Sequence, residues 1–320
     1  MRRLTFVLLT VAGVAAACTS ALVGAGRSAS GHALLWKHRD SGFPQNFIER
    51  VDATDSTFAY VGLFNGGDSL LREVWTGVNE RGFAIMNTAS YNLAPDTAKF
   101  KDREGIIMTL ALRRCTSAGD FALLLDSLPR PLGVQANFGV IDATGAGAYF
   151  EANDYGYTTF PLERDSLLIR TNFSCSGTCG DGLGRMRYAN AVSLLGGRGL
   201  ISPRLLTDTI SRSFYHAGLG CDVRASGLGE VEDKGEFIPR RSTSASVVIQ
   251  TAPQPEMWVI LGYPPLSTAQ KVTLDSIPCG LRPTLPGALS PVSAENLRRR
   301  DRLFRRAGKK WFVNLRNLEK

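Results

Sequence analysis

VAGVAAACTSALVGAGRSASGHALLWKHRD, residues 11–40, decides how the rest of the chain is read: an apolar run ends in small residues, a cysteine follows, and a Gly/Ser segment leads into a charged strand end. Upstream, Met1-Arg2-Arg3 is a short basic segment, Leu4 to Val14 is apolar, and Ala15-Ala16-Ala17 has the small-residue pattern of an export-signal cleavage site. The apolar run is shorter than the roughly 20 residues of a membrane helix, and no later stretch is continuously apolar over that length. The reading is a signal peptide over 1–17 and an exported chain, periplasmic or secreted and without a stable membrane span, that begins at Cys18.

A cysteine exposed by cleavage has two uses. It is where a bacterial lipoprotein receives its lipid, although that processing favours a large aliphatic residue at the position held here by Ala15. It is also a nucleophile whose own α-amine, with a reference pKa of roughly 7.7–8.0, serves as a base near neutral pH without any histidine. Lipoproteins place a tether after the lipidated residue, whereas Cys18 runs at once into TSALVGA and, after GRSASG, into HALLWK, two short strands joined by a turn in which Gly31 gives the backbone its freedom. The nucleophile is the reading carried forward; lipid anchoring at Cys18 stays the alternative.

Six stretches in order, Cys18-Thr19-Ser20, WKHRD ending at Asp40, NERGFAIMNTASYN at 79–92, RTNFS at 170–174, RRSTSASVV at 240–248 and MWVILGYPP at 257–265, resemble the N-terminal-nucleophile hydrolases of the acyl-coenzyme A:isopenicillin N acyltransferase and carcinine hydrolase group. Bile salt (choloylglycine) hydrolases, penicillin V acylases and acid ceramidases are its more distant relatives. The resemblance spans roughly residues 18–275 and implies an α+β fold, a four-layer αββα sandwich. It also implies hydrolysis of a small linear amide, of N-acyl amine or N-acyl amino acid type, through an acyl-enzyme. Acyl transfer to an amine acceptor is the alternative on the same fold.

Position by position, the resemblance makes Cys18 the nucleophile, Asp40 the acid that orients the α-amine, and Asn172 the side-chain donor to the oxyanion, with Asn87 near a second polar contributor. Where distant relatives have Arg-x-x-Asp this chain has Lys37-His38-Arg39-Asp40, so the positive role falls to Lys37 or Arg39. A further supporting arginine is Arg185, thirteen positions after Asn172, or Arg241 in RRSTSAS. Asn172-Phe173-Ser174 is also a glycosylation sequon, but the apolar SLLIR before it argues that Asn172 points inward.

The remaining residues bound the function. His32, His38 and His216 form no spaced ligand set, and one C-x3-C, Cys175 to Cys179, is poor evidence for zinc, so neither a metal nor a cofactor is expected. That pair suits a local disulfide instead. The formal charge of +8 lies mostly in the leader's arginines and in residues 292–320, which alone carry +7. The pattern over ENLRRRDRLFRRAGKKWF predicts an amphipathic helix with Leu297, Leu303 and Phe304 inward and a solvated basic face. No base-reading motif accompanies it, which sets a nucleic-acid partner aside. The domains expected are 18–291 for the sandwich and 292–320 for a docked basic helix. Strands are expected near 46–53, 57–64, 70–77, 82–87, 135–142, 146–151, 166–171, 244–250, 256–262 and 270–274. Helices are expected near 104–115, 118–127, 184–195 and 203–214, with Ser117 and Asp120 capping the second.

Overall fold

The computed structural model describes residues 18–94 and 101–318; the signal peptide read over 1–17 lies outside the described residues. Strands β1 (Thr19–Val23), β2 (Leu34–Asp40), β3 (Asn46–Val51), β4 (Tyr60–Asn65), β5 (Val74–Asn79) and β6 (Ala84–Ala89) precede helices α1 (Glu104–Arg114) and α2 (Ala118–Ser127). Then come β7 (Ala136–Ile141), β8 (Gly147–Ala152), β9 (Tyr157–Pro161), β10 (Leu167–Arg170) and helix α3 (Arg185–Leu195). Short strands β11 (Tyr215–His216), β12 (Cys221–Asp222) and β13 (Glu230–Glu232) lead to β14 (Thr243–Gln250), β15 (Glu256–Leu261) and β16 (Gln270–Thr273). Helix α4 (Pro291–Leu303) and the hairpin β17 (Phe304–Ala307) and β18 (Lys310–Asn314) close the chain.

Two antiparallel sheets face each other. One has the order β10-β1-β2-β14-β15-β16, the other is a meander from β3 to β9. Leu22, Leu35, Val61, Leu63, Met86, Val247 and Val259 meet between them. On the outer face of the meander, Ile107, Met108 and Leu112 of α1 and Phe121 and Leu125 of α2 cover Phe83, Phe138 and Phe150. On the outer face of the other sheet, Ala191 and Leu195 of α3 with Leu206 and Ile210 cover Ala21, Val23, Trp36 and Val248. The order is helix, sheet, sheet, helix: the expected αββα sandwich. Covered on both faces, β1 and β14 are buried along their whole length, including the polar Thr19, Ser20, Thr243, Ser244, Ser246 and Gln250.

The cap on α2 is a full capping box, with Asp120 N donating to Ser117 Oγ at 3.1 Å and Ser117 N donating to Asp120 Oδ2 at 3.0 Å. Two expectations are corrected. The helix read over 203–214 is a π-helical turn, Leu205–Thr209, followed by a 3₁₀ turn, Ile210–Arg212. There the Ser211 hydroxyl takes the Leu206 carbonyl at 2.7 Å, and the ladder slips by one residue. The basic helix stops at Leu303 and the chain turns back as β17 and β18, around Gly308 at φ +60°. Leu303, Phe304, Val313 and Leu315 pack against Phe214, Phe237 and Tyr263, and β18 pairs with β13.

Candidate active site

Cys18 immediately precedes β1 and is 4% exposed, its Sγ 3.7 Å from the Asp40 carbonyl oxygen at the end of β2. Thr19 pairs with His38 and Ser20 with Lys37, so the register brings Cys18 opposite Arg39. Successive side chains of a strand point to opposite faces. Lys37 and Arg39 therefore share the inter-sheet face with Leu35, while His38 and Asp40 share the α3 face with Trp36.

The inter-sheet group is cationic. Lys37 Nζ donates to the Trp75 carbonyl at 2.6 Å and to Asn87 Oδ1 at 2.7 Å. Its acceptors are neutral, and burial lowers its pKa to about 7 despite the attraction of the Cys18 sulfur, with Arg39 pushing the same way as burial. The Arg39 guanidinium donates to Asn65 Oδ1 at 2.8 Å, Ser244 Oγ at 3.1 Å and Asn46 Oδ1 at 3.2 Å, and it lies over the Trp75 ring. Burial, and after it the charge of the Cys18 sulfur, pushes the Tyr91 hydroxyl pKa up to about 12.

On the α3 face Asp40 is fixed by two donors, Arg240 Nη2 at 2.7 Å to Oδ2 and Thr243 Oγ1 at 2.6 Å to Oδ1. The Thr243 hydroxyl has one proton and gives it to Asp40. It accepts from the Arg240 backbone N–H at 2.9 Å, and His38 Nε2, 3.3 Å away, is therefore also a donor to it. Burial pulls the His38 pKa down to about 4, against the pull of Asp40, so the ring is neutral and carries its proton on Nε2.

Arg187 joins the two halves. Its Nη1 donates to the Cys18 carbonyl at 2.6 Å and to Thr19 Oγ1 at 3.0 Å, and its Nη2 donates to Asn172 Oδ1 at 2.7 Å. A guanidinium only donates, so this contact sets which end of the Asn172 amide is oxygen. The NH2 end points to the Ala89 carbonyl, 2.8 Å away. Gly184, the N-cap of α3, makes room for the guanidinium: a Cβ there would lie 2.3 Å from Arg187 Nη2, and its φ of +81° is one that side chains resist.

The loop after Asn172 is tied down from two sides. Asn92 Nδ2 donates to the Ser174 and Thr178 carbonyls at 2.9 and 3.1 Å, while its Oδ1 accepts from Ser174 N at 2.7 Å. Glu151, paired with Arg170 at 2.6 Å in the interior, accepts from the backbone N–H groups of Cys175 and Ser176 at 2.8 and 2.6 Å.

Cys18, Lys37, Arg39, Asp40, Asn87 and Asn172 thus gather in one region. Arg185 and Arg241 do not join it. Arg185 is exposed, stacked over Phe173 and donating to the Asp181 carbonyl, and Arg241 lies 3.8 Å over the Trp311 ring. Besides Arg39, Arg187 and Arg240 reach the site, and these two the sequence reading missed. One signal was present: Arg187, Ala191 and Leu195 recur every four residues, so Arg187 sits on the apolar stripe of α3 while Arg185, two residues earlier, faces away. Arg240 carries no such signal, because it reaches Asp40 from a turn before β14.

Arg39 on the inter-sheet face and Arg187 and Arg240 on the α3 face flank the Cys18 end of the sandwich, with Lys37 held at a pKa of about 7, and positive charge so placed favours negative charge developing there. Among the described residues no group of three or more His, Cys, Asp or Glu gathers as for a metal, and no helix is long and apolar enough to cross a membrane. All six cysteines are unpaired, so the local Cys175–Cys179 disulfide is not formed. Two surface clefts around Glu49, Arg50 and Arg282 contain none of the site residues, and their charges are neutralised in the Arg50–Asp52 and Arg282–Glu49 pairs.

No protein-family model matches the chain, and no curated protein matches it in sequence. Solved structures do. An N-acylethanolamine-hydrolysing acid amidase ortholog of Caenorhabditis elegans is similar with TM-score 0.49 and 15% identity, over 76% of this chain and 100% of that one. A variant of the conjugated bile acid hydrolase of Clostridium perfringens gives 0.44 and 12%, over 82% and 94%. The penicillin V acylase of Agrobacterium tumefaciens gives 0.44 and 12%, over 81% and 87%.

Proposed function

We propose that this chain, once residues 1–17 are removed on export, hydrolyses a small linear amide with Cys18 as nucleophile. The observation that carries the reading is the single guanidinium of Arg187, which bonds both the Cys18 carbonyl and the Asn172 side chain and so fixes nucleophile and oxyanion donor relative to each other. In the first step the sulfur bonds to the amide carbon while its proton passes to the α-amine of Cys18. The Asn172 amide and the surrounding cations stabilise the oxyanion. Collapse breaks the C–N bond, the amine proton goes to the leaving nitrogen, and a thioester remains on Cys18. Water, activated by the same α-amine, then releases the acid. Asp40 is suited to orient that amine: it is buried and fixed by Arg240 and Thr243, and its carbonyl lies beside the thiol. Burial of Cys18 and of all of β1 after it speaks against a lipid on this sulfur, which would need a route to a membrane.

The test is Asn172→Ala, assayed on the best substrate from a panel of N-acyl amino acids, β-alanyl amides, penicillins and bile salt conjugates. One preorganised donor is worth about 10²–10³ in rate, and a loss of that size with the fold intact is the expected result. Unchanged turnover removes Asn172 from the mechanism.

A further inference from the structure

Cys175 and Cys179 stand just beyond Asn172, both exposed and both without a part in the chemistry above. Cys115, by contrast, is buried and its thiol is pushed up to about 12 by that burial; burial and Glu151 also raise the Cys175 thiol, which is exposed where Cys115 is not. Cys221 and Cys279 are exposed but isolated along the chain.

What distinguishes the pair is how the backbone between its members is held. The carbonyl of Ser174 belongs to the peptide group that leads into Cys175, and the carbonyl of Thr178 to the one that leads into Cys179. Both carbonyls bond the same Asn92 Nδ2, at 2.9 and 3.1 Å. The Thr178 N–H in turn donates to the Asn92 carbonyl at 2.8 Å, and Gly177 N to the Ser174 carbonyl at 3.3 Å, so the segment is a closed turn. Gly177 permits it, since a Cβ there would lie 2.5 Å from Asn92 Nδ2. The peptide groups that lead into the two cysteines are thus held on one side-chain nitrogen, which limits how far the cysteines can separate, and a disulfide needs its Cα atoms within about 7 Å.

We propose that Cys175 and Cys179 are a redox-active dithiol, whose oxidation to a disulfide does covalently what Asn92 does by hydrogen bonding: it closes the turn that follows Asn172. The oxidant is a small-molecule disulfide. One thiolate of the pair attacks a sulfur of the oxidant, forming a mixed disulfide and releasing one thiol. The second thiolate attacks the protein sulfur of that mixed disulfide, forming the Cys175–Cys179 bond and releasing the other thiol. Two electrons pass from the pair to the oxidant, and the two protons leave with the released thiols. That this turn supports a catalytic Asn172 rests on the reading given above; the redox chemistry does not.

The experiment uses the folded full-length exported chain in glutathione–glutathione disulfide buffers, followed by alkylation, peptide mapping and hydrogen exchange. The expected product is a Cys175–Cys179 crosslink, with Cys115 unmodified. In reduced Asn92→Ala, exchange of the amides of 173–179 accelerates by about tenfold or more, and oxidation restores protection in that variant but not in Asn92→Ala with Cys179→Ser. Separate glutathione adducts on Cys175 and Cys179 without an internal bond overturn the proposal, as does a bond that leaves exchange of reduced and oxidised Asn92→Ala alike. If Asn92→Ala does not fold, the mapping of the wild-type chain decides: a crosslink formed only after denaturation is the contradicting result. These readouts are independent of turnover, so a failure of Asn172→Ala to slow the enzyme would count against the mechanism and leave this result standing.

Discussion

Arg187 Nη2 donates to Asn172 Oδ1 at 2.7 Å and so binds the first turn of α3 to the end of β10. The same side chain holds the carbonyl of Cys18 at 2.6 Å. Replacing it with lysine keeps a positive charge but loses the fork that reaches two acceptors in different directions. Arg187→Lys is expected to lower turnover by about 10²-fold, as for the loss of a preorganised donor, while far-ultraviolet circular dichroism stays native. Turnover within a factor of about two of wild type would reduce Arg187 to packing.

His38 gives a pH dependence with a definite sign. Its pKa is about 4 in the folded chain against 6.5 for the free side chain, with burial as the cause. Between those values the unfolded state holds the extra proton, so stability falls as pH drops from 6.5 to 4, and the loss is complete below 4. The size is about 3 kcal/mol. His38→Gln, which keeps a donor near Thr243, is expected to flatten this part of the curve in urea titrations at pH 4 to 7. Parallel curves for the two proteins would show that His38 takes up its proton in the folded state as well.

The C-terminal basic segment is part of the folded body. Leu297, Leu303, Phe304, Val313 and Leu315 are all buried, and each is worth about 1.5–3 kcal/mol on burial. Their sum rivals the roughly 5–15 kcal/mol that stabilises a whole domain. A chain ended at Ser290 is expected to lose cooperative thermal unfolding, seen by calorimetry. A melting point within a few degrees of the intact chain would mean that α4 and its hairpin sit on a body that is complete without them.

The sandwich was legible because apolar stretches such as those of β4, β7 and β15 stand beside glycines, and because the six matching stretches fall in order along it. Cys18, Asp40 and Asn172 were legible through those stretches. Arg187 and Arg240 were not, since a sequence match places a side chain only to within a residue or two. A shift of two on a helix turns it by about 200°, which exchanges exposed Arg185 for buried Arg187. The return of the chain after Leu303 was hidden for a different reason: FRRAGKKWFVN carries the same basic charge as the helix before it, and only Gly308 marks the turn. β9 was missed because Tyr157–Pro161 is the edge strand of its sheet, polar and half exposed.

The central claim is that the α-amine of Cys18 is the base, and it is tested most directly by one residue added before Cys18. An extra glycine turns the amine into a non-basic amide and leaves the thiol, Asp40, Arg187 and Asn172 in the chain. Turnover is compared for a chain beginning at Cys18, a Gly-extended chain and Cys18→Ala, with folding checked by circular dichroism and the N-terminus by intact mass. The account predicts that the Gly-extended protein keeps an alkylatable Cys18 yet loses most of its turnover, and that Cys18→Ala has none. Full turnover in the Gly-extended protein, with no trimming seen by mass, would contradict it.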